Sequence, residues 1–137
     1  MTAPVRLVIF GSRTAFPTRY DIAHELLDLF HLDDGTDGRF SAESPSGLIT
    51  EVISGTATGA DQRGEMWAAL HGIPLRRMPA AWEQHGNVAG RIRNRAMAEI
   101  ATHGLGFWHS ESNGTAHMAA TMLALGKCVR LVEWRRP

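Results

Sequence analysis

Three glycine-bearing segments and one arginine run hold the residues that could do chemistry in this chain of 137 residues. SGTATGAD (54–61) is the first. Gly55 and Gly59 leave the backbone bare where the chain turns, so an anion could approach the amides, and Thr56 and Thr58 add hydroxyl donors. A helix starting here would offer unpaired N–H groups and the positive end of its dipole. The same residues also suit an ordinary strand-to-helix turn, with Thr58 as N-cap and Asp61 complementing the dipole. The segment is neither a G-x-G-x-x-G fingerprint nor a lysine-bearing P-loop.

NGTAH (113–117) repeats the design. Ser112 or Asn113 can cap a helix, Gly114 opens the backbone, Thr115 puts a hydroxyl in the first turn, and His117 lies one turn in. His117 also reads as an exposed or structurally bonded histidine. GRIRNRAM (90–97) carries Arg91, Arg93 and Arg95. Arg91 and Arg95 are four apart and share a helix side, with Arg93 on the other flank. Guanidinium forks match phosphate and carboxylate oxygens in bidentate fashion. Cations at a helix start oppose the dipole, which hints at an anionic partner or nearby acids; a solvated face is the alternative. Gly11, Ser12 and Arg13 form a short GSR segment after the first apolar run. Trp82 and Trp108 could stack on a base or fill a core.

These segments need a frame. VRLVIF (5–10), LITEVIS (48–54), IPLRRMP (73–79), GLGFWH (104–109) and CVRLVEW (128–134) read as five strands. Helical spacing is expected over 19–30, with Ile22, Leu26, Leu29 and Phe30 on one side and Thr18 or Asp21 as cap. A second helix is expected over 58–71, with Arg63, Met66, Trp67 and Leu70 on one stripe, stopped by Gly72 and Pro74. A third covers 88–102, with Ile92, Ala96 and Ile100 in register. A fourth covers 114–125, with Met118, Met122 and Leu125 facing inward and Gly126 as the stop. Residues 80–87 read as a loop. The polar, glycine-rich stretch 31–47 reads as a surface excursion. Gly35 stands where a second calcium ligand would follow Asp33, so no metal is expected there.

Apolar strands alternating with helices predict one α/β domain over 1–137. The expected architecture is Rossmann-like and doubly wound, a mainly parallel five-stranded sheet with helices on both faces. In such sheets ligands bind outside the carboxyl ends of the strands. All four chemically loaded segments are expected to project there.

Composition narrows the classes. The apolar fraction is 44% and the formal net charge is zero, so no global field draws the chain to nucleic acid or membrane. Cys128 is the one cysteine, which rules out an internal disulfide, suits a reducing cytoplasm and is expected to be buried in the last strand. No apolar stretch approaches the roughly 20 residues that span a bilayer. The N-terminal run is too short, and interrupted by Arg6, for a signal peptide.

VIFGSR, SGTATGAD, WAALHGIPLRRMPAAWEQHGNVAGRIRNRAMAE and GFWHSESNGTAHM occur in that order across about residues 5 to 133. Together they resemble the YspA-type, cpYpsA-related branch of the SLOG superfamily. That resemblance implies a Rossmann-like domain binding nucleotides or their derivatives; no cofactor is expected. It implies ligand roles for Gly11, Ser12, Arg13, Gly55, Gly59, Asp61, Arg93, Asn94, Arg95, Gly114 and Thr115. Related branches include cytokinin-activating phosphoribohydrolases, ligand-sensing domains of antiviral systems and a DNA-processing protein. Relatives associate, which implies a homo-oligomer. Three positions depart from the pattern: Thr56 and Thr58 stand where relatives carry glycine and arginine, and His117 stands where the phosphoribohydrolases carry a glutamate.

Three functions are therefore weighed. The leading expectation is binding of a nucleotide-type ligand (AMP, ADP-ribose or a cyclic derivative) by a sensor or sequestering domain. The alternative is cleavage of the N-glycosidic bond of a nucleoside 5′-monophosphate, with Asp61 or Glu111 as the carboxylate and Glu65 behind them. Single-stranded DNA binding ranks last, because charge is balanced and aromatics are sparse.

Overall fold

The fold was obtained as a computed structural model that describes residues 3–31, 45–109 and 112–135. Its five strands are β1 (Arg6–Gly11), β2 (Glu51–Ser54), β3 (Leu75–Arg77), β4 (His103–Trp108) and β5 (Cys128–Glu133). They form one sheet in the order β3-β2-β1-β4-β5, and every pairing is parallel. The helices are α1 (Arg19–His31), α2 (Ala60–Leu70), α3 (Trp82–His85), α4 (Ala89–Ile100) and α5 (Asn113–Ala124).

Strand β1 shows why the sheet is covered on both faces. Side chains alternate along a strand, and here both alternating sets are apolar. Leu7 and Ile9 join the core beneath α1 and α2, with Leu26, Phe30, Trp67 and Phe107. Val8 and Phe10 join the opposite core beneath α4 and α5, with Met97, Met118 and Met122. This is the expected doubly wound α/β domain, with no helix among the described residues long and apolar enough to cross a membrane.

Helix α1 starts with a capping box. The Thr18 hydroxyl accepts the Asp21 amide at 3.2 Å, and Asp21 Oδ2 accepts the Thr18 amide at 2.8 Å. The cap expected of Thr58 on α2 does not form. Gly59 is the N-cap residue and makes no side-chain bond.

Two helix faces differ from the expected ones. On α2 the buried residues are Ala60, Asp61, Gly64, Trp67 and Ala68, while Met66 and Leu70 are exposed. The helix rides so close to β1 that a Cβ on Gly64 would stand 2.7 Å from Ile9 Cβ. Only small residues fit that contact, so size overrides hydrophobicity in choosing the inner face. On α4 the buried residues are Ala89, Asn94, Met97 and Ala98, while Ile92 is exposed and Ala96 and Ile100 are half-buried. Residues 82–85, expected as loop, form α3, followed by a 3-10 turn at Gly86–Val88. The start of the second expected strand, at Leu48, belongs instead to a 3-10 turn over Pro45–Leu48. Cys128 is in β5 as expected but only half-buried, because β5 is an edge strand. Most of the 31–47 excursion lies outside the described residues.

Candidate functional site

The strand order reverses between β1 and β4, since the chain runs outward from β1 through β2 to β3 and then returns to β4 on the other side. The two loops leaving such neighbours diverge and open a crevice. A cavity of about 830 Å³ occupies it. Its walls come from Gly11–Thr14 after β1, Ala57 and Asp61 around the start of α2, Trp82 on α3, Arg91 and Arg93 on α4, and Ser112–Thr115 with His117 on α5.

Asp61 anchors the polar end. Its side chain is 5% exposed. Burial pushes its carboxyl up to about 6, against the lowering effects of the Ala57 amide and the Arg93 charge. The Ala57 N–H donates to Asp61 Oδ2 at 3.2 Å. Arg93 is half-buried beside it, and its Nη1 donates to the Gly55 carbonyl. Burial lowers the Arg93 pKa, Asp61 opposes that, and the Arg13 charge adds to it. Gly55 sits between this acid and this base. A Cβ there would stand 2.7 Å from Arg93 Nη1 and 2.9 Å from Asp61 Oδ2.

Asn94 couples α4 to α5 and fixes a tautomer. Arg93 Nε can only donate, and it donates to Asn94 Oδ1 at 3.1 Å. Asn94 Nδ2 therefore faces the Gly114 carbonyl at 3.3 Å and His117 Nδ1 at 3.2 Å. An amide nitrogen donates, so His117 Nδ1 accepts and the neutral ring carries its proton on Nε2. Burial, then the Arg91 charge, lower the His117 pKa and favour that neutral form.

The first loop is held by Ser12. Its Oγ accepts the His109 amide at 2.9 Å, which ties the β1 loop to the end of β4. On α5 the N-cap residue Ser112 makes no side-chain cap bond. Its hydroxyl instead meets Thr115 Oγ1 at 2.7 Å. The uncapped first turn of this 12-residue helix borders the cavity, the geometry that favours anions.

The structure thus gathers Gly11, Ser12, Arg13, Asp61, Arg93, Asn94, Gly114, Thr115 and His117 around one cavity. Gly55, Thr56, Thr58 and Gly59 are not among its lining residues. They build the wall behind it. The Thr56 amide donates inward to Ser54 Oγ at 3.0 Å, and Ser54 Oγ donates to Glu65 Oε2 at 2.6 Å. Gly59 has φ +83°, and a Cβ there would stand 2.5 Å from both the Ser12 and Arg13 carbonyl oxygens. Its bareness lets two loops touch rather than admitting an anion. Arg95 points away from the cavity and pairs with Glu99 at 2.8 Å on the exposed side of α4. Glu65 pairs with Arg77 at 3.2 Å. Glu111 lies outside the described residues.

His109 lines the cavity without having been singled out, and so does Arg91, which was named in the arginine run but given no ligand role. The signal for Arg91 was its place in the first turn of the arginine helix, and for His109 its place just past a strand end. Trp82, noted only as a possible stacking residue, also lines it. Elsewhere, ligand atoms of His24, Glu25 and Asp28 lie within 4.8 Å of one another. Both carboxylates there pair with Arg130, at 3.1 and 3.5 Å. Comparison with protein-family models, curated proteins and solved structures returns no match.

Proposed function

We propose that the cavity binds a nucleotide or nucleotide-derived ligand of the AMP, ADP-ribose or cyclic-derivative class, and that the domain senses or sequesters it. The observation that carries this reading is a charge imbalance. Arg13, Arg91 and Arg93 border the cavity, and among the described residues that line it Asp61 is the one carboxylate. Yet the chain as a whole has zero formal net charge. The cations are concentrated where ligands sit in this architecture, beside an uncapped helix N-terminus. Arginine forks and first-turn amides are the groups that hold phosphate. The resemblance to the YspA-type branch of the SLOG superfamily points the same way, and with it we place the protein in the cytoplasm as a homo-oligomer.

A thermal-shift panel of AMP, ADP-ribose, NAD and cyclic nucleotides tests the reading. A ligand at about 100 times its Kd stabilises by roughly 2.7 kcal/mol. Absence of any shift at millimolar concentration would overturn it.

A second reading rests on Asp61. A buried carboxyl held near 6 beside an arginine suits hydrolysis of an N-glycosidic bond. Water would add to C1′ as the bond to the base breaks, with the carboxylate stabilising the oxocarbenium-like state or taking the proton from water. The base would leave with a proton. Release of free adenine from AMP, abolished in Asp61→Asn, supports this reading; intact AMP after prolonged incubation excludes it.

A further inference from the structure

We infer that Trp82 is the platform on which the planar base of the ligand stacks, and hence the residue that separates nucleotides from simple sugar phosphates. This rests on the nucleotide reading above and extends it to the end of the ligand away from phosphate.

The fold accounts for three of the four tryptophans. Trp67 and Trp134 are buried in the core. Trp108 is half-buried, and its Nε1 donates to the Ser112 carbonyl at 3.1 Å. Trp82 is different. It is 52% exposed, on a four-residue helix that contains no buried residue. An indole is among the largest apolar side chains, and leaving one in water forfeits the burial that normally justifies it.

The ring is nevertheless seated. It rests against Gly90 in the first turn of α4, where a Cβ would stand 3.3 Å from Cη2 and 4.0 Å from Cζ2. Gly90 is the second residue of α4, and its lack of a side chain is not needed to start that helix. Here its bareness gives the edge of the indole a flat bed. The ring also lines the same cavity as Arg91 and Arg93, which follow Gly90 on the same helix.

One wall thus offers an aromatic surface beside a pair of guanidinium groups. A ligand that uses both has a planar ring and an anion. Inorganic phosphate or ribose 5-phosphate would use only the arginines. The cavity, at about 830 Å³, lies in the upper part of the range for ligand pockets and has room for both parts.

Calorimetric titration of AMP, ADP-ribose and ribose 5-phosphate into the intact chain, Trp82→Ala and Trp82→Phe tests the assignment. Stacking on an aromatic side chain strengthens binding by about 5- to 150-fold per base. The intact chain should therefore prefer AMP to ribose 5-phosphate by a factor in that range. Trp82→Ala should erase most of the preference and leave ribose 5-phosphate affinity unchanged, and Trp82→Phe should restore much of it. A preference for AMP that survives Trp82→Ala, or an equal loss for both compounds, overturns the assignment while leaving the anion site standing. Failure of all three compounds to bind the intact chain overturns the nucleotide reading and the assignment together.

Discussion

Asp61→Asn should make the protein more stable at neutral pH and leave it nearly unchanged in acid. Burial is the main reason that the Asp61 carboxyl rises from 3.8 to about 6. The folded state therefore binds the proton more tightly than the unfolded state. Between pH about 4 and about 6 it carries more protons, so stability falls as pH rises through that window and levels off above it. At about 1.4 kcal/mol per pH unit, the ionised carboxylate costs about 3 kcal/mol at neutral pH. Asparagine keeps the shape and an oxygen for the Ala57 amide, but cannot ionise. The Arg93 charge already contributes to the position of the carboxyl, so its loss of a charged partner belongs to the same figure rather than to an extra penalty. The variant should match the parent near pH 4 and exceed it by about 2–3 kcal/mol at pH 7.5, which raises Tm by roughly 6–12 °C. Thermal and urea unfolding followed by circular dichroism from pH 4.5 to 8 would measure this. The difference between the two proteins cancels the other titrating groups. A difference that does not change with pH refutes the reasoning, because it would mean that Asp61 titrates alike in both states.

Thr56 has φ 69°, a left-handed conformation unfavourable for a β-branched residue. Thr56→Gly should therefore stabilise by about 1 kcal/mol in urea unfolding, and a loss of stability would show that the hydroxyl outweighs the strain. The Ser54 hydroxyl is buried between the Thr56 amide and Glu65. Ser54→Ala should cost about 1–3 kcal/mol by the same measurement. His117 should titrate below the usual histidine range, with its neutral ring protonated on Nε2, and Arg91→Gln should move it upward by removing one of the two lowering influences. Imidazole resonances in an NMR titration report both.

The parallel sheet was legible because most of its strands are apolar runs that alternate with helices, whereas the order of the strands was not. Leu7 and Ile9 against Val8 and Phe10 already imply two covered faces. The inner faces of α2 and α4 were not legible from hydrophobic spacing. Met66 and Leu70 look like core residues, yet the contact of Gly64 with Ile9 turns them outward. The same kind of rotation decides the arginines. Once Met97 and Ala98 face the sheet, Arg93 reaches the Gly55 carbonyl and Arg95 reaches Glu99. Residue types and strand ends thus marked the candidate site, but that Arg91 and Arg93 border it while Arg95 does not depends on packing. The glycines of the second loop were ambiguous for a related reason. Gly59 serves contacts with Ser12 and Arg13, more than forty positions away in sequence, and no local pattern encodes them.

Where the chain violates its own local rules bears on function independently of any resemblance. A threonine in a left-handed conformation, an acid buried until its carboxyl titrates near 6, an arginine drawn half out of water and an exposed indole laid on a helical glycine are each unfavourable alone. Thr56, Asp61 and Arg93 belong to one connected structure around Gly55, and Trp82 borders the same cavity. At the other end of the sheet, Leu7 and Val8 of β1 are completely buried beside the buried His103 of β4. Unfavourable features that meet around one cavity, at the end where parallel sheets take ligands, are the expected mark of a site held in shape by the rest of the domain. Asp61 carries the sharpest form of the argument. An asparagine in its place should serve the fold better at neutral pH, and that is the ground on which we propose that the carboxylate is kept for a ligand.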